Sequence, residues 1–135
     1  MSSCVLDTDV VIAVLDRRDA NHGAATKAMR RLIGGGAAVL LSTVNYAEAL
    51  VRPAGDAAAL RKAVDAIDAL GIELVAPTPA IARDAARLRG SGVSLPDGFA
   101  VATARARGAT LASFDKRLRR ALRSSGVKLV PGLRA

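Results

Sequence analysis

The chain has 135 residues, the size of one domain, and is 51% hydrophobic but only 2% aromatic, so its core has to be built from Ala, Val, Leu and Ile. The only cysteine, Cys4, excludes an internal disulfide; with a single histidine, His22, it argues against a zinc site of His and Cys ligands, and no run approaches the ~18 consecutive apolar residues of a membrane span. The net charge of +8 is unevenly placed: residues 105–135 hold nine bases and one acid, which reads either as a solvated basic face or as a polyanion-binding edge.

Residues 3–6 form a short apolar run ending at Asp7 and read as a buried first strand with Cys4 in the core. A helix is expected over 10–15. The acids Asp7, Asp9 and Asp16 interrupt this stretch too often for a secretory signal, so a cytoplasmic protein is expected. A charged loop follows, then a helix over 21–33, with Asn21 as a candidate cap and Gly34-Gly35-Gly36 as the stop; His22 reads as a helix-start or surface residue. Residues 37–41 predict a second strand, and Ser42 caps a helix through 51. Another helix is expected over 56–70, ended by Gly71, then a third strand over 72–75 and a helix over 79–89 opened by Pro79. A helix over 96–107, stopped by Gly108, precedes a fourth strand over 109–112, a basic helix over 114–124 and a short last strand over 127–130.

Short apolar strands alternating with helices predict a parallel sheet covered on both faces, in a single domain spanning 1–135. Ligands of such sheets gather beyond the carboxyl ends of the strands. Four acids stand where that edge is expected. Asp7 follows the first strand and Asp115 the fourth, while Glu48 and Asp97 lie on helices that start nearby. Each position has a structural alternative. Asp7-Thr8 can simply cap a helix. Ser94-Leu95-Pro96-Asp97 resembles a capping box, although Asp97 also aligns with Ala100, Val101 and Ala104. Ser113 or Asp115 can cap the basic helix. Glu48 shares a helix face with Val44, Ala47 and Val51, and that face is expected to look inward, where a lone carboxylate is costly.

Four converging carboxylates cannot all stay charged without a cation among them. Oxygen donors alone suit Mg2+ or Mn2+. Such a cluster suits hydrolysis at phosphorus, and a basic flank with few aromatics suits a polyanion held by its backbone. Arg117, Arg119, Arg120 and Arg123 are the candidate contacts to that polyanion backbone.

These segments resemble a known family. Val5-Leu6-Asp7-Thr8-Asp9-Val10-Val11-Ile12 is similar to the opening of PIN-domain nucleases, Ser42-Thr43-Val44-Asn45-Tyr46-Ala47-Glu48 to their second acidic motif, Leu95-Pro96-Asp97-Gly98-Phe99-Ala100-Val101-Ala102-Thr103-Ala104 to the third, and Leu111-Ala112-Ser113-Phe114-Asp115 to the fourth. Length and full coverage resemble the VapC toxins of toxin–antitoxin pairs. The resemblance implies a three-layer α/β/α sandwich and Mg2+-dependent RNA cleavage at Asp7, Glu48, Asp97 and Asp115. It also implies a VapB-type antitoxin and a homodimer. Asp9 and Ser113 stand where the family commonly has Asn and Thr; with Thr8 they are expected to support the site. Two other readings compete. The opening Asp7-Thr8-Asp9 also fits haloacid-dehalogenase-like phosphatases with Asp7 as nucleophile, but a close acidic pair late in the chain is missing. The third is a non-catalytic module that binds RNA or a partner.

Overall fold

The computed structural model describes residues 2–133; Arg134 and Ala135, the end of the basic segment, lie outside them. Four parallel strands, β1 (Ser3–Leu6), β2 (Ala38–Ser42), β3 (Glu73–Val75) and β4 (Thr110–Ala112), form one sheet in the order β3-β2-β1-β4. The expected strand at 127–130 is reduced to one bridge, Leu129 to Leu111. Gly126, at a φ of 76°, and Pro131 bracket that segment and leave no room for a longer ladder.

Strands pack on both faces because alternate side chains point in opposite directions. Cys4, Leu6, Val39, Leu41 and Ala112 join one apolar cluster, while Val5, Leu40 and Leu111 join the other. The first cluster is covered by α1 (Thr8–Leu15), α2 (His22–Gly34), α3 (Thr43–Leu50) and α4 (Ala57–Ala69). The second is covered by α6 (Leu95–Arg107) and α7 (Lys116–Ala121), with α5 (Pro79–Gly90) packed on the outside of α6. This is the expected three-layer α/β/α sandwich. Leu6, Leu41 and Leu111 are fully buried and contribute roughly 1.5–3 kcal/mol each.

Small residues let α6 sit close to its neighbours. Ala100, Val101 and Ala104 are wholly buried, and a Cβ on Gly98 would stand 3.2 Å from the Ala85 carbonyl oxygen of α5. The helix ends on Gly108, whose φ of 59° is left-handed and favours glycine. The basic helix is shorter than expected: α7 ends at Ala121 and a single 3-10 turn, Leu122–Ser124, follows.

The order of the strands sets the position of the site. From β1 the chain moves outward to β2 and β3, then crosses back to place β4 on the other side of β1. The carboxyl ends of β1 and β4 therefore flank the switch point, where an open crevice forms in sheets of this kind.

Candidate active site

Asp7 is the first residue beyond β1. It is 2% exposed, and its backbone N–H is held 2.9 Å from the Ala112 carbonyl at the end of β4. Its carboxylate is fixed at both oxygens: Oδ1 accepts from the Thr8 N–H at 2.9 Å and Oδ2 from the Ser113 hydroxyl at 2.7 Å. The Ser113 oxygen in turn accepts from the Asp115 N–H at 3.1 Å. Asp9, in the first turn of α1, accepts from the Phe114 N–H at 3.1 Å through Oδ2, while its buried Oδ1 has no partner. The turns after β1 and β4 are thus tied together through acidic side chains, with Asp9 and Ser113 in the hydrogen bonds that link them and Thr8 in the one that holds Asp7 Oδ1.

Asp97 enters from the first turn of α6. Its N–H is capped by the Ser94 hydroxyl at 3.4 Å, so the capping alternative holds alongside the site. Asp115 caps α7, its Oδ1 accepting from the N–H groups of Arg117 and Leu118 at 2.8 and 3.2 Å. Asp97 and Asp115 both line a cleft of ≈ 350 Å³, with Ser91, Ser94 and Arg117 on its walls.

Glu48 departs from expectation. Its α3 face is not inward: Ala47, Glu48 and Val51 are exposed, Val51 by 73%. The helix buries Asn45 and Ala49 instead. An apolar stripe of small and β-branched residues on a helix only eight residues long did not determine the buried face. Glu48 still stands near the cluster, because its charge is among those that push the Asp97 carboxyl upward.

The electrostatics follow from this crowding. Burial, then the charges of Asp9 and Asp97, raise the Asp7 carboxyl to about 8. Burial, with Asp97 and Asp115, raises Asp9 to about 6 against the hydrogen bond from Phe114. Asp97 is raised by burial and then by Asp115 and Glu48, against hydrogen bonds with Ser94 and Asp7. All five acids therefore belong to one negative centre. Among the described residues no three carboxylate, imidazole or thiol groups stand close enough around one point to form a ready-made metal cage. The donor set nevertheless fits a hard divalent cation. It is all oxygen, a bound cation would relieve the crowding that raises these carboxyls, and the Asp9 Oδ1 is buried without a partner. His22 and Cys4 lie elsewhere, the former against the Ala13 carbonyl at 2.7 Å and the latter in the core.

One residue escaped the sequence reading. Asn45 is wholly buried, and its Nδ2 donates to the Thr8 hydroxyl oxygen and the Pro96 carbonyl, both at 3.0 Å. A carbonyl only accepts, so the contact to Pro96 fixes the orientation of the amide. Asn45 thereby bolts the turn carrying Asp7 to the helix start carrying Asp97. Val44-Asn45-Tyr46 carries no local signal for it, because a polar side chain there reads as surface.

The PIN domain family matches residues 4–123, nearly the whole chain. The chain belongs to the PIN domain family. That membership sets aside the dehalogenase-like alternative. Solved structures with the same fold include VapBC2 from Rickettsia felis bound to a promoter DNA fragment (TM-score 0.73, 15% identity, covering 95% of this chain and 97% of that one). Mycobacterium tuberculosis VapC20, a Sarcin-Ricin loop cleaving toxin, is similar with a TM-score of 0.71 and 20% identity over 94% of this chain and 98% of its own. VapBC-1 from nontypeable Haemophilus influenzae follows with a TM-score of 0.70 and 16% identity over 95% and 96%. A search of curated protein sequences finds no match.

Proposed function

We propose that this PIN domain is a metal-dependent endoribonuclease, acting as the toxin of a VapBC-type toxin–antitoxin pair. The observation that carries the reading is the gathering of Asp7, Asp9, Asp97 and Asp115, with Glu48 at the rim, over the switch point of the sheet. Asp7, Glu48, Asp97 and Asp115 would hold Mg2+ or Mn2+, which when bound activates water and stabilises charge on the phosphoryl and leaving oxygens. Ser113 and the Thr8 N–H orient the Asp7 carboxylate, and Asp9 holds the β4–α7 turn while offering its free Oδ1 to the centre. Asn45 keeps the two halves of the acid set in register. Arg117, which lines the cleft with Asp115, would meet a substrate phosphate.

Support for an antitoxin comes from the relatives, several of which are toxin–antitoxin complexes, and from an apolar hollow of ≈ 440 Å³. It lies between the end of α1 and α4, with Leu15, Pro53, Ala59, Ala63 and Ala66 as its apolar lining and Arg52 and Lys62 beside them, and suits the apolar face of a partner helix. An antitoxin cation entering the acid cluster would replace the metal. A homodimer and a cytoplasmic setting belong to the same reading; no described helix is long and apolar enough to cross a membrane.

The test is cleavage of total cellular RNA by the purified, antitoxin-free chain, mapped by end sequencing. Cleavage in Mg2+ that stops in EDTA and in Asp7→Asn is the expected result. Full activity in EDTA or in Asp7→Asn overturns the metal-centred mechanism. Expression of the wild type alone should arrest growth, with relief from a small neighbouring reading frame. Normal growth with abundant soluble wild type removes the toxin reading and favours a binding module.

A further inference from the structure

We propose that an RNA strand leaving the acidic cleft runs through a second basin between α5, α6 and α7, where its phosphates meet Arg87, Arg105 and Arg120. The inference rests on the ribonuclease reading and gives its substrate a path. It also redistributes the basic residues that the sequence marked as one group.

The helix α7 is only six residues long, and its arginines leave in different directions. Arg117 lines the acidic cleft. Arg119 donates Nη1 to the Leu133 carbonyl at 3.2 Å, and with Arg123 and Lys128 lines a separate hollow of ≈ 340 Å³ beside residues 126–129. Arg120 alone turns toward α5 and α6. There it lines a basin of ≈ 460 Å³ together with Asp84, Arg87, Arg105, Ser91 and Ser125.

Three features of this basin point to a phosphodiester backbone. Its three arginines face a single carboxylate, Asp84, which is paired with Arg105 at 3.4 Å. Arg87 and Arg120 are exposed and have no carboxylate within ion-pair distance among the described residues. The planar guanidinium fork matches phosphate oxygens, and the Ser91 hydroxyl adds a neutral donor. The lining contains no aromatic ring for a base to stack on, so the strand is held by its backbone and its sequence is not read there. Above all, the basin and the acidic cleft share Ser91, Val93 and Ala121 as walls. Cleft and basin are therefore neighbours across a common wall, with acids on one side of it and Arg87, Arg105 and Arg120 on the other.

Charge counted along the chain could not reveal this. Arg87 lies outside the basic segment and comes to Arg120 only because α5 packs against α6.

The experiment measures binding of a labelled single-stranded RNA of about 20 nucleotides to the full chain in EDTA, with salt varied from about 50 to about 300 mM. Arg87→Ala/Arg120→Ala is compared with Arg123→Ala/Lys128→Ala, which removes the same charge from the other hollow. Thermal melts confirm that both fold. Loss of two single-strand phosphate contacts should flatten the log–log salt slope by about 1.4 and weaken binding about 25-fold near 0.1 M salt. The second pair should keep the wild-type slope, and Arg87→Lys/Arg120→Lys should keep most of it. If both alanine pairs shift the slope equally, only net charge matters and the path is overturned. An unchanged slope in Arg87→Ala/Arg120→Ala also overturns it and leaves the basin to an acidic protein segment or to solvent. Cleavage by the wild type in Mg2+ is scored separately. Cleavage without the slope difference removes the path alone; the slope difference without cleavage removes the nuclease reading and leaves an RNA-binding path.

Discussion

The two sides of the acidic centre are built differently. On the β1–β4 side, Asp7 is buried with both oxygens engaged, and Ser113, Asp9 and Asp115 tie the neighbouring turns into one hydrogen-bonded unit. On the α3 side, Glu48 is exposed on a helix face turned to solvent. Burial concentrates like charge on the first side and lifts Asp7 to about 8 and Asp9 to about 6. The lesson is that rigidity and electrostatic cost are concentrated on the wired side, while the exposed side is free to adjust to what binds.

The largest effect should come from breaking the wired side. Asp7→Asn is expected to lower RNA cleavage by roughly a thousandfold or more, since a metal held there would supply several kcal/mol of charge stabilisation. A loss under about tenfold would move the chemistry elsewhere. The same change should stabilise the metal-free protein by removing repulsion at a buried site.

Next comes the bolt between the two halves. Asn45→Ala leaves the Pro96 carbonyl and the Thr8 hydroxyl without their donor, at a cost of about 1–3 kcal/mol by denaturant unfolding. Its kcat should fall while KM stays near wild type, because Asp7 and Asp97 lose their register but the arginines do not. Equal effects on kcat and KM would make Asn45 a plain core residue.

Acidity sharpens the comparison further. The Asp7 carboxyl lies at about 8 in the fold against its ordinary 3.8, so between those values the fold binds a proton that the unfolded chain releases. The stability this contributes is complete below the unfolded value and is lost as pH rises through the folded one. The metal-free protein should therefore be most stable near pH 4 and become a few kcal/mol less stable by pH 8, at no more than about 1.4 kcal/mol for each step of one in pH. Melting by circular dichroism should fall by roughly 5–15 °C over that range, and Asp7→Asn should flatten the curve. A melting temperature that instead rises from pH 4 to 8 in the wild type would contradict the crowding.

The smallest effect should come from the exposed side. Glu48→Gln should leave stability within about 0.5 kcal/mol of wild type, as for other surface changes. Its metal requirement should rise about tenfold, with cleavage restored at higher Mg2+. Cleavage as low as in Asp7→Asn, at every Mg2+ concentration, would place Glu48 on an equal footing with the wired acids.

The sheet was legible because its strands are short apolar runs closed by Asp7, Ser42 and the Ala112-Ser113 junction, and the helices because caps and glycines bound them. The positions of Asp7 and Asp115 just beyond β1 and β4 were legible from where those two apolar runs end. The orientation of α3 was not, because Val44, Ala47 and Val51 are apolar without being fully covered. Asn45 was missed for the opposite reason: a polar residue at the buried seam reads as surface until Thr8 and Pro96 are seen beside it. The strand expected over 127–130 failed because apolar content there goes into one bridge and into packing near Leu111.

The central claim is that these acids form a divalent-cation centre dependent on Asp7. Binding of Mn2+ to the purified chain, followed by loss of the free-ion electron paramagnetic resonance signal, tests it most directly. The wild type should take up one or two ions, displaceable by Mg2+, and Asp7→Asn should bind far more weakly while melting at an equal or higher temperature. Equal Mn2+ uptake by both proteins, or none by the folded wild type, would contradict the account.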